Sequence, residues 1–459
     1  MVIGRCSSAR HGALRTLLVT FAVTMAALMV GLPAHADAAA SAVNTGDTAW
    51  MLLSTALVMF MTPGLALFYG GMVRSKNVLN ILMQSFVALG VVTVIWVLYG
   101  YSLAFGSGGK YIGSLAYLGL HGVGSAPSAY APTIPHSLFM IYQMMFAVIT
   151  PALISGAIAE RMKFSTYLVF MALWSTLVYC PLAHWVWGAG GWLGADGLKA
   201  LDFAGGTVVH ISSGMSALVL TLVMGKRRNS QKSHDEDFRP HNLTMTLVGT
   251  AILWFGWFGF NAGSALAAGG LAVSAFVATH CAAAAAGLTW ILLEWKTAGR
   301  PTALGFATGA VAGLVAITPA SGYVTPIAAL ILGVVVSCIS LFAITLKHRF
   351  HYDDTLDVFG VHGVGGTFGA IATGLFASKL VNKDGADGLF YGGGFHLLGK
   401  QACAASTAIL YAVVVTFVLA KVLDKVMGLR VNPEEEAAGL DLAQHGETGY
   451  SALEVEGTL

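Results

Sequence analysis

The chain has 459 residues, of which 56% are hydrophobic and only 10% charged, against about 25% charged residues in soluble proteins. So few charges cannot cover a water-facing surface; with a mean hydropathy of +0.74, a string of soluble domains is excluded and a polytopic membrane bundle remains. A net charge of +2 offers no footprint for nucleic acid, and the five cysteines (Cys6 near the start, Cys180, Cys281, Cys338 and Cys403 in apolar runs) set out no disulfide framework.

Residues 1–36 read as a cleaved secretory signal. Arg5, Arg10 and Arg15 form a basic region, Leu17 to Leu32 is apolar, and Ala34-His35-Ala36 supplies small residues for cleavage after Ala36. The alternative is an uncleaved first helix, but that apolar core is short of the roughly 20 residues a span needs. Eleven apolar segments follow, near 47–71, 78–105, 138–158, 165–183, 203–224, 242–263, 271–293, 302–318, 324–346, 356–377 and 402–427. Together, 37–428 forms one eleven-helix, all-α transmembrane domain, and 429–459 is a polar, acidic tail. The connecting segments place sixteen Lys and Arg on the tail's side, from Arg74 to Arg430, and five on the other, from Lys110 to Lys400. The bias puts the mature N-terminus outside and the C-terminus inside.

Eleven spans divide into two halves of five in opposite orientations plus one extra, an inverted repeat with its site near the midplane. The fifth span opens Asp202-Phe203-Ala204-Gly205-Gly206-Thr207-Val208-Val209-His210, and the tenth Asp357-Val358-Phe359-Gly360-Val361-His362-Gly363-Val364-Gly365-Gly366. Ionisable groups at membrane depth usually face the protein interior. His210 lies roughly 12 Å along its helix from Asp202, and His362 roughly 8 Å from Asp357, at 1.5 Å per residue. Entering from opposite faces, the two imidazoles can meet as a neutral pair, or each can bond a neighbouring helix separately. A metal site is disfavoured, since no third ligand has an obvious place beside them. Asp202 and Asp357 each open a span, where a carboxylate caps free N–H groups; Asp202 can also attract cations.

Aromatic residues form the other distinct group. Trp185 and Trp187 end the fourth span as belt residues or as a face for a cation. The stretch Trp257-Phe258-Gly259-Phe260-Asn261-Ala262-Gly263-Ser264 mixes rings with small residues and a hydroxyl. Phe146, in Tyr142-Gln143-Met144-Met145-Phe146, lies at similar depth. Ordinary packing and an apolar constriction both fit Phe146 and Phe260.

On these residues the sequence resembles the Amt/Rh family of ammonium transporters, on the bacterial Amt side. The resemblance rests on Met61 to Gly71, Asp202 to His210, Gly256 to Ser264, Asp354 to His362 and the tail from Gly439 to Glu447. It implies a homotrimer in the bacterial inner membrane with one pore per chain, carrying ammonium, ammonia and methylammonium without a cofactor. By motif, Trp187 and Ser264 line an outer ammonium site that Asp202 supports, Phe146 and Phe260 are the gate, His210 and His362 the pair, and Trp257 part of the wall. The tail resembles the part that docks PII signalling proteins. An ammonium sensor acting through the tail is the alternative function. An enzyme lacks a nucleophile beside the histidines, and a cation channel lacks an acidic ring.

Overall fold

The computed structural model describes residues 43–228 and 238–450. The expected leader lies outside the described residues, as does the end of the tail. Helices appear at each apolar segment: α1 (Thr45–Met72), α2 (Ser75–Phe105), α3 (His136–Ile158), α4 (Phe164–Trp187), α5 (Gly206–Met224), α6 (Leu243–Ala265), α7 (Gly270–Ala298), α8 (Ala303–Ile317), α9 (Pro326–Phe350), α10 (Phe359–Phe376) and α11 (Phe395–Met427). Ten of these are long and apolar enough to cross a membrane, and α8 is apolar but has 15 residues. The chain is a multi-pass membrane protein. A two-stranded hairpin, β1 (Pro127–Ser128) and β2 (Ala131–Pro135), precedes α3.

Apolarity on all sides is what a lipid-embedded bundle requires, so periodicity says little about which face is inside. Burial does. In α3 and α5, 83% and 78% of the apolar window is enclosed by protein, against 33% in α11. The first two are central and the last is peripheral. The most extensive packing joins α1 to α6. Small residues permit it: a methyl added at Gly249 would lie 2.2 Å from the backbone nitrogen of Phe68.

Beyond α11 the chain turns back along one end of the bundle, here termed the tail face. Asn432 caps α12 (Pro433–Ala438), with Glu435 closing the reciprocal bond. The Asp441 carboxylate accepts from the N–H groups of Leu79 (3.0 Å) and Asn80 (2.8 Å), near the start of α2. Glu436 pairs with Arg430 (2.8 Å) and accepts from the N–H of Arg228 (2.7 Å), just beyond α5. A short stretch thus clasps the tail-face ends of α2 and α5. Behind it, Glu160 sits between Arg74 (2.8 Å) and Arg227 (3.2 Å). Burial opposes ionisation of Glu160, but the two guanidinium groups outweigh it and hold the carboxyl below its usual range.

Candidate functional site

At the face opposite the tail, Asp202 precedes α5. Its carboxylate accepts from the backbone N–H groups of Gly205 (2.8 Å), Gly206 (2.7 Å), Thr207 (2.7 Å) and Val208 (3.3 Å). Gly205 adopts φ +108°, a left-handed turn that glycine takes without strain. Burial pushes the Asp202 carboxyl up, although those four bonds pull the other way. The carbonyl oxygen of Asp202 accepts from Trp187 Nε1 at 3.0 Å. One residue therefore caps the helix and holds the indole.

Trp187 lines an open recess of about 260 Å³ with Phe146, Gln143, Tyr130 and Ser264. Trp185 points elsewhere, donating to Tyr111 O and packing on Tyr411. Phe146 and Phe260 close the recess floor, with ring centroids 4.2 Å apart, and Trp187 meets Phe146 edge-on at 6.1 Å. The helix α6 makes a π turn at Phe258–Ala262. In that turn the carbonyl oxygens of Gly259 and Phe260 accept from the Tyr142 hydroxyl at 2.9 and 3.0 Å. Tyr142 thus ties α3, which carries Phe146, to α6, which carries Phe260. Ser264 Oγ donates to Phe260 O at 2.8 Å and lies 3.2 Å from the Tyr142 hydroxyl, so it faces the recess as an acceptor only.

Past the rings lies a narrow cavity, with room for about one water-sized molecule, bounded by apolar side chains (Leu65, Phe68, Leu153, Val311) and by His210 and His362. Each histidine sits in a π turn, Gly206–Ile211 in α5 and Phe359–Val364 at the start of α10. The inserted residue re-aims the side chain relative to a regular helix. The two Nδ1 atoms are 3.2 Å apart and the ring centroids 5.2 Å. The alternative of separate histidines does not describe this geometry. Trp257 stacks on His210 at 5.5 Å, and Thr318 Oγ1 holds its indole by accepting from Nε1 at 2.9 Å. His210 Nε2 is buried with no protein partner among the described residues.

The profile of the Ammonium Transporter Family matches residues 49–450. An ammonium transporter of Bacillus subtilis is 55% identical over 406 residues, spanning 88% of this chain and 98% of that protein. The chain belongs to the ammonium transporter family. An ammonium transporter of Mycobacterium bovis is 48% identical over 442 residues, covering 90% of this chain and 92% of that one. The fold is similar to a crystal structure of Saccharomyces cerevisiae Mep2 (TM-score 0.82, 37% identity, 90% of this chain and 93% of that one). It is also similar to a Sensor Amt Protein (TM-score 0.78, 30% identity, 87% and 98%).

One expectation for this family member needs correction. Asp357 does not cap α10. Its backbone is left-handed at φ +60°, and its carboxylate bonds to Lys347. The cap is Asp354, which accepts from the N–H groups of Val358 (3.1 Å) and Phe359 (2.7 Å). The two stretches then share one spacing: Asp202, His210 and Gly214 correspond to Asp354, His362 and Gly366. A methyl at Gly214 would lie 2.1 Å from Gly363 N, and one at Gly366 would lie 2.8 Å from His210 Cβ. Each glycine lets the other helix's histidine region approach. Thr318 and Gln143 were also missed as site residues, because nothing local marks them.

Burial and the neighbouring Asp357 push the Asp354 carboxyl up to about 7, against Lys347 and two N–H bonds. A carboxyl raised from about 3.9 in the unfolded chain adds stability that is complete below that value and lost as pH rises through the folded one. Thermal unfolding of the detergent-solubilised protein checks this. From about pH 5 to about pH 8, the wild type should lose stability relative to Asp354→Asn. A difference that stays constant across the range contradicts the assignment.

Proposed function

We propose that the chain carries ammonium nitrogen across a bacterial inner membrane, with the recess facing outside and the tail inside. The observation that carries this reading is the narrow apolar cavity behind the Phe146–Phe260 pair, bounded by His210 and His362, whose imidazoles meet at 3.2 Å. Two Nδ1 atoms at 3.2 Å share one proton, since two charged rings would set N–H against N–H. One ring then presents a bare Nε2 and the other an Nε2–H, so the uncharged pair both accepts and donates. Moving any cation into this cavity without compensating bonds carries a large desolvation cost. Ammonia avoids most of it. Ammonium is recruited at Trp187 and Ser264, gives a proton to water of the recess near the Phe146–Phe260 gate, crosses as ammonia along the imidazoles and takes a proton from water inside. Potassium has no proton to lose, which gives the discrimination that size and charge cannot.

The matching register of Asp202, His210 and Gly214 with Asp354, His362 and Gly366 supports an inverted repeat of five spans plus one. A homotrimer with one pore per chain, a cleaved leader ending at Ala36 and a PII protein on the cytoplasmic face complete the proposal. The clasp of Asp441 on α2 favours a second role in sensing, as does the likeness to a Sensor Amt Protein. Growth on scarce ammonium and methylammonium uptake, in cells stripped of their own ammonium carriers, tests the main reading. Saturable uptake is expected. Normal ammonium-dependent signalling with no uptake would overturn transport in favour of sensing.

A further inference from the structure

The side chain of Gln143 lies on the recess wall, one helical turn before Phe146 on α3. Its carboxamide oxygen is shielded from water and has no hydrogen-bond partner among the described residues. Native interiors keep few such atoms, because a buried acceptor without a donor destabilises the fold. The neighbouring polar groups do not supply a donor. The Tyr130 hydroxyl gives its proton to Phe105 O at 2.7 Å, and the Trp187 indole N–H is held by Asp202 O at 3.0 Å. The Ser264 proton goes to Phe260 O. What the wall offers is a set of acceptors: the faces of the rings, Ser264 Oγ beside the Tyr142 hydroxyl (3.2 Å) and, turned inward behind them, the Gln143 oxygen. A terminal amide torsion is broad, so small rotations bring that oxygen toward an occupant of the recess.

We infer that Gln143 is a direct contact in the recess for a small cation rich in N–H donors, and that it sets affinity there. The inference rests on the proposed recruitment of ammonium at this recess. An occupant with several N–H groups satisfies the orphaned oxygen and the serine together and turns its remaining protons to aromatic faces. A metal cation needs a full oxygen shell, which two neutral oxygens beside rings do not provide. The contact acts before the Phe146–Phe260 pair, so it governs binding rather than passage.

The test is labelled methylammonium uptake by purified protein in proteoliposomes, with KM and kcat measured separately. Gln143→Leu should raise KM about tenfold, the scale of one lost bond to a charged donor, with kcat changed less than about twofold. Gln143→Glu keeps the acceptor and adds charge. It should restore KM to the wild-type value or below and make uptake sensitive to competition by caesium. Trp187→Ala separates the two levels of the argument. If Trp187→Ala raises KM and neither Gln143 variant changes it, the Gln143 contact is wrong while the recess stands. If none of the three changes KM, the recruitment site itself is wrong. Should Gln143→Leu fail to fold, Gln143→Glu decides alone: wild-type KM together with no caesium competition overturns the inference.

Discussion

Replacing either His210 or His362 with alanine should abolish selective ammonium uptake while leaving the protein folded. Each substitution removes one side of the Nδ1–Nδ1 bond and leaves the other nitrogen unpaired in an apolar cavity. An unsatisfied buried group costs about 1–3 kcal/mol, and each 1.36 kcal/mol in a barrier is about tenfold in rate. The loss of the polar strip that ammonia follows adds to this. Because the rings act as one unit, the double variant should be scarcely worse than either single one, whereas independent histidines would give additive losses. Uptake in proteoliposomes, beside size-exclusion profiles and unfolding temperatures, measures both parts. Near wild-type uptake with unchanged selectivity in both single variants would remove the histidines from the route.

Gly214→Ala should be nearly as damaging, although it changes no pore chemistry. The added methyl would sit 2.1 Å from Gly363 N and 2.4 Å from its Cα, and these are backbone atoms that cannot swing aside. Helices α5 and α10 must separate, and with them the two imidazoles. Overpacking a well-filled interior typically costs 1–3 kcal/mol, on the order of several degrees in unfolding temperature. A shift of a few tenths of an ångström lengthens a 3.2 Å contact beyond useful hydrogen bonding. Lower thermal stability and a large fall in uptake are therefore expected together. Wild-type values for both would mean that the close approach of these helices is unimportant.

Much of the bundle was legible because lipid leaves few solutions: apolar runs must be helices, and their lengths are set by the bilayer. Even α8, with 15 residues, stood out as an apolar run. The π turns at His210, Phe260 and His362 left no readable mark, since they arise from tertiary packing rather than from composition. The histidines and the rings could be listed as candidates from their depth. What could not be read was contact across the fold. Tyr142 reaches α6 over more than a hundred positions, and Thr318 lies beyond α8 yet orients Trp257. Asp357 directly precedes the apolar run and so reads as its cap, whereas Asp354, three residues earlier, takes the free N–H groups. At Asp357 the backbone is left-handed and the carboxylate accepts from Lys347 instead.

The most direct test of an uncharged conduit is the relative entry of ammonium and potassium through the purified protein in sealed vesicles. Labelled ammonium and rubidium, the tracer for potassium, are presented together under the same driving force. The account predicts rapid entry of labelled nitrogen with rubidium entry no greater than in vesicles without protein. Rubidium entry at a rate comparable to that of ammonium would show a charged or hydrated pathway, and would contradict passage as ammonia along the His210–His362 pair.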